Sequence, residues 1–226
     1  MEDEDLYRFL YDAAANIGGE LVILSDAEKR TPWDVFFDVR FLGNTRIDPC
    51  SKFLKRELSN EWFRLNFSWM SCIRYCGIDW TEEHRYTRMV ERLSPWRVEA
   101  PLCQPPYLTK SDIKEWARSE GLQIPRLYDL GFDHNNCGGF CVKSGQAQFA
   151  HLLKVLPERY AYHEQKEQDF IKMIGKPVSI LRDRRKAAET TVMTMRDFRL
   201  RIEAGEEYDC HEWGGCSCFA GPPDAD

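Results

Sequence analysis

The residues with the most chemical promise lie in the run Asn135-Asn136-Cys137-Gly138-Gly139-Phe140-Cys141. Two thiols separated by three residues on a glycine-rich turn can point at one centre, because glycine lets the backbone fold tightly around it. A second pair, Cys216 and Cys218, follows the double glycine Gly214-Gly215, and Cys50 follows Asp48-Pro49 at a helix start. Thiolates are soft ligands suited to zinc or to an iron–sulfur cluster, and four of them close either site. Cys50, Cys137, Cys141 and Cys216 are therefore the candidate metal ligands. Residues 206–226 have no periodicity, so a metal–thiolate tie would give them a reason to be ordered. The plainer reading is a set of loop cysteines with no shared role. Cys72 and Cys76 lie in an apolar stretch and Cys103 in a proline-rich one; they read as small buried hydrophobes.

Basic residues form two clusters. Lys52, Lys55 and Arg56 fall within one helical turn near a helix N-terminus, a position that favours anions. Arg182 and Arg184, with Arg185 and Lys186, follow a late apolar run, although Asp183 dilutes that cluster. Arg85, five residues after Trp80, could sit at the end of a central strand, where open α/β sheets bind ligands. Each cluster has a plainer reading as a solvated face. Walker A, GxGxxG, HExxH and GxSxG motifs are all missing, which lowers the case for P-loop kinases, zincins and serine hydrolases.

The elements that must hold these residues alternate between helix and strand. Apolar spacing and end signals predict helices over 5–17 (stopped by Gly18-Gly19), 31–42 (capped at Thr31-Pro32-Trp33-Asp34), 49–63, 81–93, 109–121 (capped at Thr109-Lys110-Ser111-Asp112), 143–174 (restarting at Pro157) and 194–204. Glu20–Leu24 and Phe67–Cys76 read as strands, and Val178–Leu181 as a late one. This alternation predicts an α/β fold with a mainly parallel sheet and a helical C-terminal part. The simplest division is one domain over residues 1–205 and a cysteine-bearing tail over 206–226. The 226 residues suffice for a proper core, with 43% hydrophobic and 30% charged residues arguing against disorder. A net charge of −6 argues against general nucleic-acid binding. Without an apolar run of membrane-spanning length or a signal peptide at the acidic start, the expected location is the cytoplasm, a reducing place for nine cysteines.

Three stretches together carry a resemblance: TPWDVFFDVRFLGNTRIDPCSKFLKREL, CGIDWTEEHR, and APLCQPPYLTKSDIKEWARSEGLQIPRLYDLGFDHNNCGGFCVKSGQAQF. They resemble the phosphoadenosine phosphosulfate reductase-like group of the adenine nucleotide α-hydrolase (ATP-pyrophosphatase) superfamily, most nearly its short phage and bacterial members. The resemblance runs over nearly the whole chain, and HNNCGGFCVKSGQ is its most specific part. It implies a Rossmann-like parallel sheet, an adenine nucleotide as substrate (ATP or a phosphosulfate nucleotide), and cleavage of an adenylyl–phosphoryl or sulfur–oxygen bond. Cys50 with Lys55 and Arg56 resembles the cysteine-then-basic segment of the cluster-bearing reductases, and Cys137 with Cys141 their later pair. In those relatives such cysteines hold a 4Fe-4S cluster, although they use a doubled first cysteine and a CxxC. Cys216 or Cys218 would supply the missing ligand; alternatively one of them, Cys218 here, matches the reactive tail cysteine of the thiol-dependent reductases.

Members of that family begin with a strand, a Ser-Gly-Gly phosphate loop, a helix and a second strand, and the start of this chain resembles the segment beyond all four. The expectation is an N-terminally incomplete sheet with unpaired edges, unless a longer polypeptide or a partner chain supplies the missing strands and phosphate loop, or the remaining strands pair differently. Three functions fit. The first is a sulfur-transfer or nucleotide-cleaving enzyme. The second is a non-catalytic nucleotide-binding or sequestering subunit, and the third a zinc-stapled structural protein.

Overall fold

A computed structural model of the chain describes residues 2–43, 47–183 and 191–214. Helix α1 (Glu4–Ile17) stops where Gly18 turns left-handed, at φ 73°. Helix α2 (Pro32–Val39) opens on a capping box in which the Thr31 hydroxyl accepts from the Asp34 amide and Asp34 accepts from that of Thr31. Helix α3 (Pro49–Ser51), a π-helical turn (Lys52–Glu57) and α4 (Leu58–Asn66) follow one another without intervening residues. Strand β1 (Ile73–Tyr75) leads through α5 (Glu83–Leu93) to β2 (Arg97–Glu99), which pairs with it in parallel, Arg74 opposite Val98. Helix α6 (Lys110–Ser119) starts on a second capping box, from Thr109 and Asp112. Then come α7 (Arg126–Asp129), α8 (Gln146–Val155) and α9 (Pro157–Ile174), with Pro157 in the first turn of the last. Strands β3 (Leu181–Asp183) and β4 (Thr191–Met193) pair antiparallel, and α10 (Met195–Glu203) begins on a third capping box.

The described residues fall into two compact units, one drawn from 2–4, 30–50 and 126–214, the other from 5–29 and 51–125. In the first, Trp33, Phe36, Leu127, Phe140, Phe149, Leu152, Tyr160, Phe170 and Phe198 form one apolar core. Inside it, Glu167 is fully buried and accepts the amides of Ile180 (3.0 Å) and Met195 (2.6 Å), fastening α9 to both ends of the β3–β4 hairpin. In the second, α5 lays Met89 and Leu93 against Ile78 and Val98 beside the parallel strands.

The fold is thus mixed α/β, and helix, at 55% of the described residues, dominates it. The expected sheet is reduced to one parallel pair: among the described residues no sheet has more than two strands. Glu20–Leu24 is not a strand. Val22, Ile23 and Leu24 are 40%, 46% and 38% exposed and the segment has no regular structure. An extended segment needs a neighbour for its backbone groups and its apolar face, and none of the described strands pairs with it. Of Phe67–Cys76 only Ile73–Tyr75 pairs, and the late strand is displaced to Leu181–Asp183, where its partner makes it antiparallel. The predicted helices form within a few residues of their expected ends. No helix among the described residues is long and apolar enough to cross a membrane.

Candidate functional site

The cysteine turn is held in an uncommon backbone conformation. Cys137, Gly138 and Gly139 have φ of 52°, 61° and 86°, three left-handed residues in succession. Only glycine adopts this region at little cost, so the value at Cys137 marks a position the surroundings enforce. Those surroundings come from the first residues of the chain. Glu2 accepts the Cys137 amide, and Arg159 donates to the Gly138 carbonyl. Asp3, fully buried, accepts from Arg159 (3.1 Å) and twice from Arg126 (2.8 and 2.9 Å). Gly139 is required for space too, since a Cβ there would meet the Phe132 ring at 2.8 Å.

Asp3→Ala would strip the shared carboxylate from both arginines. The expected loss is about 2–3 kcal/mol, below the usual figure for a buried pair because Arg126 and Arg159 are partly in water. Urea unfolding measures it, and a loss under about 0.5 kcal/mol would mean the clasp does not hold the turn.

Two further contacts link the chain just after this turn to the segment before Cys50 and to the tail as far as Gly214. Lys143, two residues after Cys141, lies 3.7 Å from Asp48, two residues before Cys50, and both side chains are almost wholly buried. The Cα atoms of Cys50 and Cys141 are therefore each within roughly 7 Å of the Cα of one partner of that ion pair. On the other side, Ser144 forms an antiparallel bridge with Gly214. The Gly145 amide donates to the Trp213 carbonyl (3.1 Å) and the Ala147 amide to that of Glu212 (3.0 Å). These carbonyls serve the first amides of α8, whose N-cap, Gly145, has no side chain to do so. Gln146 adds its own link, accepting from the Asp209 amide (3.1 Å) and donating to the Arg182 carbonyl (3.0 Å). The Trp213 ring lies 5.7 Å from that of His151. Hydrogen bonds and packing thus order the tail as far as residue 214, a task expected from the sequence to fall to a metal.

Beneath the turn, Phe140 stacks on His163 with centroids 3.7 Å apart. Trp33 Nε1 donates to His163 Nδ1 (2.9 Å), so the neutral ring carries its proton on Nε2. Burial, helped by the charge of Arg159, pushes His163 down to about 3.

Cys50 packs against the edge of the first core, and Cys137 and Cys141 are half-buried. Among the described residues no three Cys, His, Asp or Glu side chains gather as a metal site. Cys216, Cys218 and Arg184 lie outside the described residues. The donor set still fits a soft metal, and one orphan supports the fit: both amide atoms of Asn135, 8% exposed, lack a hydrogen-bond partner among the described residues. A buried amide beside Cys137 with an unmet N–H is suited to donate to a thiolate, and leaving it unmet costs stability.

The basic candidates are less concentrated. Lys52 stands 4.0 Å from Glu57, Lys55 is half-buried and Arg56 buried, all on the π-helical turn. Arg85 is bonded to Glu82, one turn before it. Arg182 lies on β3, in the other unit, with its side chain exposed. Asn135 and Lys143 lie inside the HNNCGGFCVKSGQ stretch and Asp48 two residues before Cys50, and this nearness was the available signal for them; Glu2 and Asp3, far from Cys137 in sequence, carried none. No family model, curated protein or solved structure matches the chain.

Proposed function

We propose that this chain is an adenine-nucleotide-binding protein of the phosphoadenosine phosphosulfate reductase-like kind, a sulfur-transfer or nucleotide-cleaving enzyme with a metal–thiolate centre at its cysteine turn. The observation that carries the metal centre is the double tether: the Asp48–Lys143 pair toward Cys50, and the Ser144–Gly214 bridge toward the tail thiols. The nucleotide half rests on the resemblance, with Lys52, Lys55, Arg56 and Arg85 as the residues that would meet phosphate or sulfate oxygens. Cys50, Cys137, Cys141 and one of Cys216 and Cys218 would hold the metal. An iron–sulfur cluster would supply redox chemistry there, whereas zinc would supply a cross-link. The chain's own part is to keep the turn left-handed through Glu2 and Arg159 and to offer the Asn135 amide to a thiolate.

Anaerobic purification followed by metal analysis and visible absorption tests the centre. About four irons per chain and a brown colour are expected for a cluster, and one zinc without colour for the alternative. Finding neither metal would overturn the centre. Thermal stabilisation by ATP or a phosphosulfate nucleotide, lost in Lys55→Ala and Arg85→Ala, tests the other half; a melting temperature that no nucleotide moves would overturn it.

A further inference from the structure

A small cavity of about 200 Å³ in the second unit is lined by Asn60, Arg64, Arg74, Arg92, Ser94 and Trp96, with no carboxylate among its lining residues. Arg74 is the unusual member. It stands on β1, is 4% exposed, and makes no ion pair among the described residues. Its hydrogen bond runs from Nη2 to Asn60 Oδ1 (3.0 Å), using one of the five N–H donors of a guanidinium. Aromatic faces take up much of its remaining surroundings, with the Phe63 centroid 4.1 Å and the Trp96 centroid 5.7 Å from the guanidinium carbon. Burial lowers its proton affinity most; Cys72 opposes this, and the charges of Arg64 and Arg92 add to it.

A buried arginine ordinarily faces a carboxylate, because an uncompensated charge in a protein interior is strongly unfavourable. Here the charges on the cavity wall have the same sign. Three guanidiniums converging on one concave space form an arrangement that becomes favourable when a multivalent anion enters, each donating charge-assisted hydrogen bonds to its oxygens. Asn60 and Ser94 add neutral groups of the kind that orient such oxygens. The space admits one compact group, which suits a single tetrahedral anion rather than a polymer backbone.

We infer that the cavity among Arg64, Arg74 and Arg92 is a binding site for a tetrahedral phosphate- or sulfate-class anion. None of these three residues belongs to the nucleotide-binding set above, and the site needs neither that set nor the metal. Thermal denaturation and calorimetry with inorganic phosphate test it, against chloride at matched ionic strength. The melting temperature is expected to rise with phosphate well beyond chloride. Arg64→Ala, an exposed position, is expected to keep the basal melting temperature and weaken phosphate binding about tenfold or more. Arg74→Met removes a buried charge while keeping an apolar stem for Phe63 and Trp96. Its basal melting temperature is expected to hold or rise, and its response to phosphate to vanish. Ribose 5-phosphate distinguishes the source: tighter binding than phosphate assigns the site to a phosphorylated molecule, and equal binding assigns it to the free ion. Stabilisation no greater than with chloride, or an undiminished response in both variants, would overturn the site.

Discussion

Gly145→Ala is expected to release the tail from the cysteine turn. The reason is space and not backbone conformation, since Gly145 has φ −92° and ψ −177°, open to any residue. An added Cβ would lie 2.0 Å from the Glu212 carbonyl oxygen, and that oxygen is backbone already engaged by the Ala147 amide. Nothing local can yield, so the segment before Gly214 must move away. The departure would expose the first amides of α8 and break the Asp209–Gln146 bond. Two lost backbone hydrogen bonds and one lost side-chain bond amount to about 2–4 kcal/mol. Hydrogen exchange over residues 143–149 and 206–214 would read this as a loss of protection of about a hundredfold, with the α9 core unchanged. If the proposed centre uses a tail thiol, metal content falls with it. Gly175→Ala is the control. Gly175 is left-handed (φ 67°) with open space around its Cβ position, so only about 1 kcal/mol of backbone strain is expected. Unchanged protection in Gly145→Ala would show that the tail is not held through these carbonyls.

The second large effect is a pH dependence made of two opposing parts. His163, pushed down to about 3 from 6.5, takes its proton more readily when the chain is unfolded. Its contribution to stability is complete above 6.5 and is lost as pH falls toward 3. Glu167 behaves in the opposite sense: burial outweighs its two backbone donors and pushes it up to about 7 from 4.5. The folded state binds that proton more tightly, so its contribution is present below 4.5 and lost as pH rises through 7. Each group alone imposes a slope of about 1.4 kcal/mol per pH unit, and between about pH 4.5 and 6.5 the two cancel. His163→Gln, which keeps an acceptor for Trp33 Nε1 without titrating, should uncover the Glu167 slope. Its unfolding free energy should fall by about 3 kcal/mol from pH 4.5 to 7, whereas Glu167→Gln should become more stable up to about pH 6.5. Urea titrations across this range measure both. Parallel curves for the two variants would refute the opposition.

The anion cavity shows how far local reading reaches. Lys52, Lys55 and Arg56 drew notice because they are close in sequence, whereas Arg64, Arg74 and Arg92 are dispersed over a helix, a strand and the end of another helix. Only the packing of α4, β1 and α5 brings them to one cavity. Arg74 sits mid-strand with Ile73 and Tyr75 pointing the other way, the exposed-buried-exposed pattern of a strand whose inner position is a cation. An apolar stretch with one arginine gave no sign that the arginine would be the buried residue.

By itself the sequence determined the features that depend on near neighbours in the chain. Thr31 with Asp34 and Thr109 with Asp112 opened helices as expected, because capping needs only a side chain and an amide three residues away. Gly18, Pro157 and Gly175 act locally too, and the helices begin or end beside them. The glycines beside the cysteines were legible as tight turns, but not the reasons for them: Gly139 makes room for Phe132, Gly145 for Glu212 and Gly214 for Lys143. Strands were the least legible. A strand's backbone bonds belong to a neighbour distant in sequence, so Glu20–Leu24, apolar enough to be one, stays irregular, while Arg97–Glu99, polar at both ends, pairs. The tertiary structure alone decided that Asp48 meets Lys143, that Asp3 gathers Arg126 and Arg159, and that the tail lies along Ser144 and Gly145. Such contacts join residues tens of positions apart, and a favourable pairing of charges or carbonyls becomes specific only once a core fixes which segments meet.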